Sequence, residues 1–344
     1  MTGIYIRGWG AVSPAGWGVA ALWEAVAHAR ARPLETPGPP GAPLLPAMHP
    51  IPPPPRPLGV WNHPRVRRSS PITRYGLAAA CEALGMDVEA RAPSVPRRWG
   101  MILSVTAGCV NYTRRFYEEV RSDPARASPL IFPETVFNAP LSHLAAVLGV
   151  TADSYTLVGD EGAFLQALAL GAEWLLDREL EAVLVWGAEE PDGLVAGAQR
   201  LFTRRSIHAA GAGALVLAPA PAGTSAGVAL ERVTEAFTYS PRQPPGVAAR
   251  RMRAQCPRGD RQEWLIGSAR GDPKADAAEQ DAWSDWPGPV ISPLRRLGAA
   301  FSAAAAWQAV LACEAIHRRV TPAATVSVVG TNQQAIGARW VAVR

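Results

Sequence analysis

The chain has 344 residues, of which 48% are hydrophobic and 18% are charged. A chain this long and this apolar can bury the core of one large domain or two modest ones without disulfides or metal, and no run of about 18 uncharged apolar residues predicts a membrane span. The formal net charge is +5, and nearly all of the positively charged residues are arginine. A basic surface favours an acidic partner. Nucleic-acid binding is not predicted, because the sequence lacks a basic stripe interleaved with aromatic residues.

The first part of the chain predicts a strand, a helix and a long proline-rich segment. Residues 3–12 alternate like a strand rather than a signal peptide, and residues 19–31 have a helical pattern. Residues 33–57 are dominated by proline, including PIPPPPRP, so they predict neither a helix nor a sheet strand. We expect a surface loop there, and a polyproline ligand for a partner protein is the alternative.

Strand and helix patterns alternate along the rest of the chain. Helices are predicted at 70–84, 111–122, 140–149, 162–177 and 302–319, and strands at 100–106, 156–158, 181–190, 211–219, 227–236, 263–270, 325–329 and 338–343. Loops are expected between 237 and 262 and between 271 and 301. This alternation predicts an α/β chain that forms a single unit of two similar halves, about 1–222 and 223–344.

The stretch Thr156–Leu168, TLVGDEGAFLQAL, places two acids at a turn between a strand and a helix. Many enzymes hold a nucleophile at such a turn, but no Ser, Cys or Thr stands inside this one. A carboxylate at the start of a buried helix can accept backbone N–H groups and face the positive end of the helix dipole. We expect this role for Glu161 and, by the same argument, for Asp160.

The four cysteines are widely spaced and form neither a CxxC pair nor a Cys/His ligand set. They are Cys81, Cys109, Cys256 and Cys313. We expect structural or incidental thiols in a reducing cytoplasm, and no bound metal.

Several of these stretches resemble the β-ketoacyl synthases of the thiolase fold. They are RYGLAAACEAL, GMILSVTAGCVNYTRRFYEEV, FPETVFNAPLSHLAAVLGVTADSYTLVGDEGAFLQALALGAEWL, VLVWGAEEPD and AAGAGALVLAP. The run from Asn138 to His143, and its distance from the nucleophile strand, are specific features. The resemblance is strongest over residues 70–220 and implies a thiolase-like fold with a layered αβαβα core.

The residues that would carry the synthase reaction differ at three positions. By the resemblance, an active synthase has its acyl-accepting cysteine where this chain has Glu161, and glutamate cannot serve in a reversible thioester relay. The two histidines that assist decarboxylation would fall at Arg270 and Ala299. No catalytic residue is therefore expected in this chain.

The family includes subunits without this chemistry, the chain-length factors (KSβ) of type II polyketide synthases, and this chain is most similar to them, although they commonly carry glutamine at the cysteine position. The resemblance implies a heterodimer with an active ketosynthase subunit, with which the chain lines a tunnel for the growing product. It also implies an acyl carrier protein that brings substrate on its phosphopantetheine arm, and no directly bound cofactor.

The resemblance also suggests residues for the tunnel and the subunit interface. Cys109, Tyr112 and Phe116 have the spacing of one helix face and would line the tunnel, with ordinary core packing as the alternative. Asn138 and His143 would lie near the interface, where we expect His143 to be packed and hydrogen-bonded.

Other interpretations stay open from the sequence. One is a homodimeric malonyl-carrier decarboxylase or acyltransferase that uses Glu161 as its acid or base, and another is a scaffold protein that docks through its proline-rich loop. Cys109 could act as a displaced nucleophile. The arginines Arg270, Arg295 and Arg296 are either solvated or in contact with an acidic carrier protein.

Overall fold

The computed structural model describes residues 3–28, 34, 46–56, 58–86, 98–151, 153–177, 180–220, 226–240, 242–331 and 333–343. The helices are α1 (Val19–Ala27), α2 (Pro71–Ala83), α3 (Val110–Ser122), α4 (Ala139–Leu148), α5 (Ala163–Asp177), α6 (Gly193–Phe202), α7 (Pro245–Ala254), α8 (Pro273–Ala282), α9 (Leu294–Leu297) and α10 (Phe301–His317). The strands are β1 (Ile4–Ser13), β2 (Gly16–Trp17), β3 (Met48–His49), β4 (Trp99–Val105), β5 (Ser154–Val158), β6 (Ala182–Glu189), β7 (His208–Ala209), β8 (Gly211–Pro219), β9 (Gly227–Val233), β10 (Phe237–Thr238), β11 (Trp264–Ile266), β12 (Val290–Ile291), β13 (Ala323–Val329) and β14 (Gln334–Val343).

Most of the strands join one long mixed sheet. Its order is β12-β11-β13-β14-β9-β1-β8-β6-β4-β5, and β10 and β2 pair at its sides. β4 runs parallel to both β5 and β6, whereas β1 is antiparallel to β8 and β9. The sheet is therefore continuous through β1, and β5 lies at one end of it.

The two ends of the sheet form two layers, with helices between these layers and on the outer face of each. α2 and α4 pack outside β1, β4, β6 and β8, and α7 and α8 pack outside β13 and β14. α5 and α10 lie between the two parts of the sheet, with α10 touching both β6 and β13. This is the layered αβαβα arrangement that the resemblance implies.

The composition of α10 explains its central position. Every residue from Ser302 to Ile316 is buried, as expected for a helix that is mostly apolar on all sides, although the stretch includes the polar residues Ser302, Gln308 and Glu314. Its run of alanines lets the sheet approach closely, since a Cβ added at Gly213 would lie 2.7 Å from the Cβ of Ala306. The middle layer thus depends on small residues on both the helix and the strands.

Three helices, α7, α8 and the short α9, lie where the sequence predicts loops. α7 begins at Pro245, and α8 begins at Pro273, after an Asp272 side chain that accepts the N–H groups of Lys274 and Ala275. An N-cap aspartate followed by proline is a helix-start signal, so the loop prediction for residues 271–301 is wrong at α8. The same holds for α7, which interrupts the predicted loop of residues 237–262.

The proline-rich segment and the predicted boundary between the halves are only partly described. Of residues 33–57, the structure describes 34 and 46–56; there the indole N–H of Trp17 donates to the carbonyl of Pro52 at 2.7 Å. The prediction that this segment forms no sheet strand is wrong at β3, where Met48 and His49 are buried and pair with His208 and Ala209. The remainder of the segment lies outside the described residues. So does the boundary at residues 222 and 223, and the two halves stay a prediction.

Candidate functional site

The turn between β5 and α5 buries both of its acids. Asp160 and Glu161 are 3% and 2% exposed, and the N–H of Gly159 is held by the carbonyl of Val105 at 3.1 Å. A Cβ at Gly162 would lie 2.9 Å from atoms of Gln334 and Ile336. Glycine at this position therefore lets the chain between β13 and the start of β14 pass directly over the turn; we call its described residues, 330, 331, 333 and 334, the C-terminal loop.

Asp160 holds the C-terminal loop against the turn. Its Oδ2 accepts the backbone N–H groups of Gln333 at 3.2 Å and Gln334 at 3.1 Å, and its Oδ1 accepts the side-chain N–H of Gln334 at 2.9 Å. Oδ1 also accepts the N–H of Gly162 at 3.0 Å. Burial, followed by the charge of Glu161, raises the pKa of Asp160 to about 6.

Glu161 is bonded to the C-terminal loop rather than to its own helix. Its Oε2 accepts the N–H of Thr331 at 2.8 Å, and its Oε1 accepts the hydroxyl of Thr331 at 2.6 Å. Arg270 brings its Nε to 3.7 Å from the same Oε1. The prediction that Glu161 accepts helix N–H groups is therefore wrong, and Asp160 accepts the N–H of Gly162, the residue just before α5.

Arg270 is a buried cation between two carboxylates. Its side chain is 1% exposed, and its Nη1 donates to the carbonyl of Val329 at 2.9 Å. Burial by itself would lower the pKa of Arg270, but the carboxylates of Glu161 and Asp272 outweigh it and raise that pKa above its ordinary value. Arg270 is thus permanently charged and is neither solvated nor open to a carrier protein.

Ala299 is the third position at which this chain differs from the synthase pattern, and its side chain offers no polar atom to the site. It is 1% exposed, and its backbone bridges to the strand that carries His208. His208, which the sequence analysis did not single out, bonds Gln199 at 3.2 Å, and its ring centroid lies 5.9 Å from that of Phe301. Burial lowers the pKa of His208 to about 4, so this imidazole is neutral at pH 7.

A cavity of about 370 Å³ opens beside the turn. Its lining residues are Thr106, Ala107, Val158, Gly159, Asp160, Val195, Ala198, Gln199, Phe301, Thr331 and Gln333. Asp160 is the one ionisable side chain among them, and Arg270 is not among them. The cavity therefore suits an uncharged, largely apolar guest better than an anion.

A buried glutamate that the sequence analysis did not single out supports the wall of this cavity. Glu189 accepts the N–H groups of Thr106 at 2.5 Å and Ala107 at 3.1 Å. Burial raises the pKa of Glu189 to about 8, so its carboxyl group is largely protonated at neutral pH.

The predicted tunnel residues lie away from this cavity. Cys109 is 1% exposed within a hydrophobic cluster, and burial raises the pKa of its thiol to about 12, which does not fit a displaced nucleophile. Tyr112 donates to the carbonyl of Arg68 at 2.5 Å, and the ring centroid of Phe116 lies 5.4 Å from that of Phe132. None of the three lines the cavity, so their tunnel role stays a prediction.

Large apolar side chains are exposed around the end of the sheet at β5. They lie on β5, on α3 and on residues 130–137, and we call them the apolar face: Tyr117, Leu130, Phe132, Val136, Phe137, Tyr155 and Val158. Asn138 is exposed beside them, and His143 bonds Glu134 at 2.8 Å, as expected of a hydrogen-bonded histidine.

The structure also gives the contacts of Arg295 and Arg296 and the state of the four cysteines. Arg295 lies 3.9 Å from Asp276, and Arg296 donates to the carbonyl of Val26 at 3.0 Å. The four cysteines are free and buried. Among the described residues there is no cluster of potential metal ligands, and none of the helices there combines the length and apolar composition that crossing a membrane requires.

Solved structures of ketosynthases have the same fold as this chain. The chain matches the ishigamide ketosynthase/chain length factor over 99% of its own length and 100% of that chain, with 20% identity and a TM-score of 0.82. It matches a type II polyketide synthase acyl-carrier protein in complex with its ketosynthase bound to the hexaketide over 99% of both chains, with 16% identity and a TM-score of 0.78. A β-ketoacyl synthase from Burkholderia phymatum STM815 matches over 100% of both chains, with 14% identity and a TM-score of 0.78.

No protein-family model and no curated protein matches the chain. At the identities of the structural matches, the likeness shows the fold. The predicted α/β thiolase-like fold is therefore confirmed.

Proposed function

We propose that this chain is a non-catalytic, chain-length-factor-like subunit that pairs with an active β-ketoacyl synthase in polyketide or fatty-acid-like biosynthesis. The observation that carries the proposal is the Glu161–Arg270 ion pair, which stands where the resemblance puts a catalytic cysteine and a histidine. The third position, Ala299, has no polar side chain.

The chemistry of these residues supports a role without acyl transfer. A thioester relay needs a thiolate that can both attack and leave, and the carboxylate of Glu161 already accepts two hydrogen bonds from Thr331. Arg270 keeps its proton because its pKa is raised, so it cannot serve as a base. The reaction that the fold usually hosts would therefore take place on a partner subunit.

The surface around β5 supports pairing with that subunit. β5 is the last strand of the sheet path in the described part of the chain, so its outer edge can add a further strand. Tyr155 on this strand is 54% exposed, and Val158 is 55% exposed. Exposed apolar side chains beside an unpaired strand edge favour an interaction site, and in the proposal the active ketosynthase covers them.

The cavity supports a role in shaping the space for the product. Val158 contributes to both the apolar face and the cavity lining, so the cavity opens next to the proposed partner. Its apolar walls suit an acyl chain, which an acyl carrier protein would bring on a phosphopantetheine arm. The solved structures that match this chain include a ketosynthase/chain length factor and a ketosynthase in complex with its acyl-carrier protein.

The alternative, a homodimeric malonyl-carrier decarboxylase that uses Glu161, has less support. A general acid or base has to reach the reacting group, whereas Glu161 does not line the cavity. We keep this function as an explicit outcome of the test.

The test is co-expression with a ketosynthase that has an intact Cys-His-His set, followed by size-exclusion chromatography and mass spectrometry of carrier-bound intermediates. We expect a 1:1 complex whose activity survives Glu161→Gln and is lost with the partner's cysteine. Tyr155→Lys should weaken the complex, whereas the matched control Leu176→Lys, at a site that is 64% exposed on α5, should not.

A stable homodimer that decarboxylates malonyl-carrier protein by itself, and loses this activity in Glu161→Ala, would reject the proposal in favour of the alternative.

A further inference from the structure

Three hydrogen-bond donors of this chain converge on the carboxylate of Glu161. They are the backbone N–H of Thr331, the hydroxyl of Thr331 and the guanidinium of Arg270. A backbone N–H, a hydroxyl and a guanidinium around one carboxylate are the groups with which proteins bind anions. We call this set the carboxylate receptor.

The receptor does not depend on Glu161 for its position. Arg270 is held by the carbonyl of Val329 and by Asp272. The loop that carries Thr331 is held by Asp160, through the N–H groups of Gln333 and Gln334. Removal of the Glu161 side chain would therefore leave the donors in place.

The guanidinium of Arg270 also has a hydrogen-bond donor, Nε–H, that is unused in the described part of the native chain. Its Nε is buried and has no hydrogen-bond partner in the described part of the chain, and the nearest oxygen of Glu161 is 3.7 Å away. A hydrogen bond normally needs a donor–acceptor distance of about 2.7–3.2 Å. A carboxylate that is free to move could approach this N–H more closely than one tethered to the chain.

We propose that Thr331 and Arg270 form a receptor for a small monocarboxylate, which the native chain fills with its own Glu161. Truncation to alanine removes Cγ, Cδ and the two oxygens of Glu161, and these four atoms correspond to acetate. Acetate is therefore the best-fitting free ligand, and propionate carries one methylene too many. The native chain excludes a carboxylate-bearing acyl group from this turn, whether or not the chain pairs with a ketosynthase.

The test measures the melting temperature of Glu161→Ala at pH 7 in rising sodium acetate, against sodium chloride at the same ionic strength. We expect a rise that grows with acetate concentration, because a ligand that binds only the folded state stabilises it by mass action. Neutral acetamide, of similar shape, should have no such effect. The native protein and the double variant Glu161→Ala/Arg270→Met should not respond to acetate beyond the chloride control.

An equal response of Glu161→Ala to acetate and chloride, or an acetate response that persists without Arg270, would overturn the proposal. If Glu161→Ala does not fold in chloride, refolding in acetate replaces the melting measurement. Recovery in acetate alone supports the receptor, and failure in both salts while the double variant folds overturns it. The measurement uses this chain alone, so its outcome is independent of the proposed pairing.

Discussion

Breaking the Glu161–Arg270 pair should cost far more stability than breaking a pair at the surface. The perturbation is a double-mutant cycle of Glu161→Gln, Arg270→Met and the double variant. At 3.7 Å, Coulomb's law with an effective dielectric constant of about 20 gives roughly 4–5 kcal/mol for this pair. Loss of one partner leaves the other charge buried, at a cost of about 3–5 kcal/mol.

We therefore expect each single variant to lower the free energy of unfolding by about 3–5 kcal/mol, and the double variant to cost about 3 kcal/mol less than their sum. Urea unfolding followed by tryptophan fluorescence measures all four proteins. The effect should change little with salt, because buried pairs are weakly screened.

The matched control is the pair of Arg250 and Asp281, which is closer at 2.9 Å but more than half exposed on both sides. Its coupling should be below about 1 kcal/mol. A Glu161–Arg270 coupling no larger than this control would refute the argument that burial makes this pair strong.

Three further predictions concern residues around the cavity and the proposed tunnel. Because burial raises the pKa of Glu189 to about 8, its contribution to stability is full below about pH 4.5 and is lost as the pH rises through 8, by up to roughly 5 kcal/mol. Glu189→Gln should flatten this part of the stability profile measured by urea unfolding, and an unchanged profile would contradict the assignment. The Cys109 thiol, buried and with a pKa of about 12, should not react with iodoacetamide at pH 8 in the native protein but should react in urea; native labelling mapped to Cys109 by mass spectrometry would reopen its role as a nucleophile. In the reconstituted complex, Tyr112→Ala or Phe116→Ala should lengthen the product, and an unchanged product profile would remove both residues from the tunnel wall.

The sequence predicts an α/β chain because that class depends on local patterns, namely the alternation of strand and helix segments. The layered arrangement follows from the resemblance to the β-ketoacyl synthases, and the sequence does not predict the central position of α10. The sequence also identifies the acidic turn, since Asp160 and Glu161 follow a short apolar strand directly. The bonding partners of these acids could not be predicted in the same way.

Those partners are distant in sequence and come together only in the folded chain. Thr331 lies 170 positions from Glu161, outside residues 70–220 where the resemblance is strongest, and Gln334 lies 174 positions from Asp160. One signal was present, however. The chain has an acidic residue, Glu161, and a cationic residue, Arg270, at two positions that the resemblance assigns to one catalytic set. Opposite charges at two such positions predict an ion pair.

The pair also explains why the chain departs from the synthase pattern at both positions. A glutamate opposite a neutral imidazole would be a buried carboxylate without the Arg270 counter-charge, and an arginine opposite a thiol would lose one of its two neighbouring carboxylates and keep only Asp272. Reverting either position alone to the synthase residue would therefore destabilise the turn instead of restoring part of the catalysis, and Ala299 would still supply no second imidazole. At the position where the resemblance puts the acyl-accepting cysteine, the side chain is instead a carboxylate bonded to the C-terminal loop, and this supports the proposal that the chemistry takes place on a partner subunit.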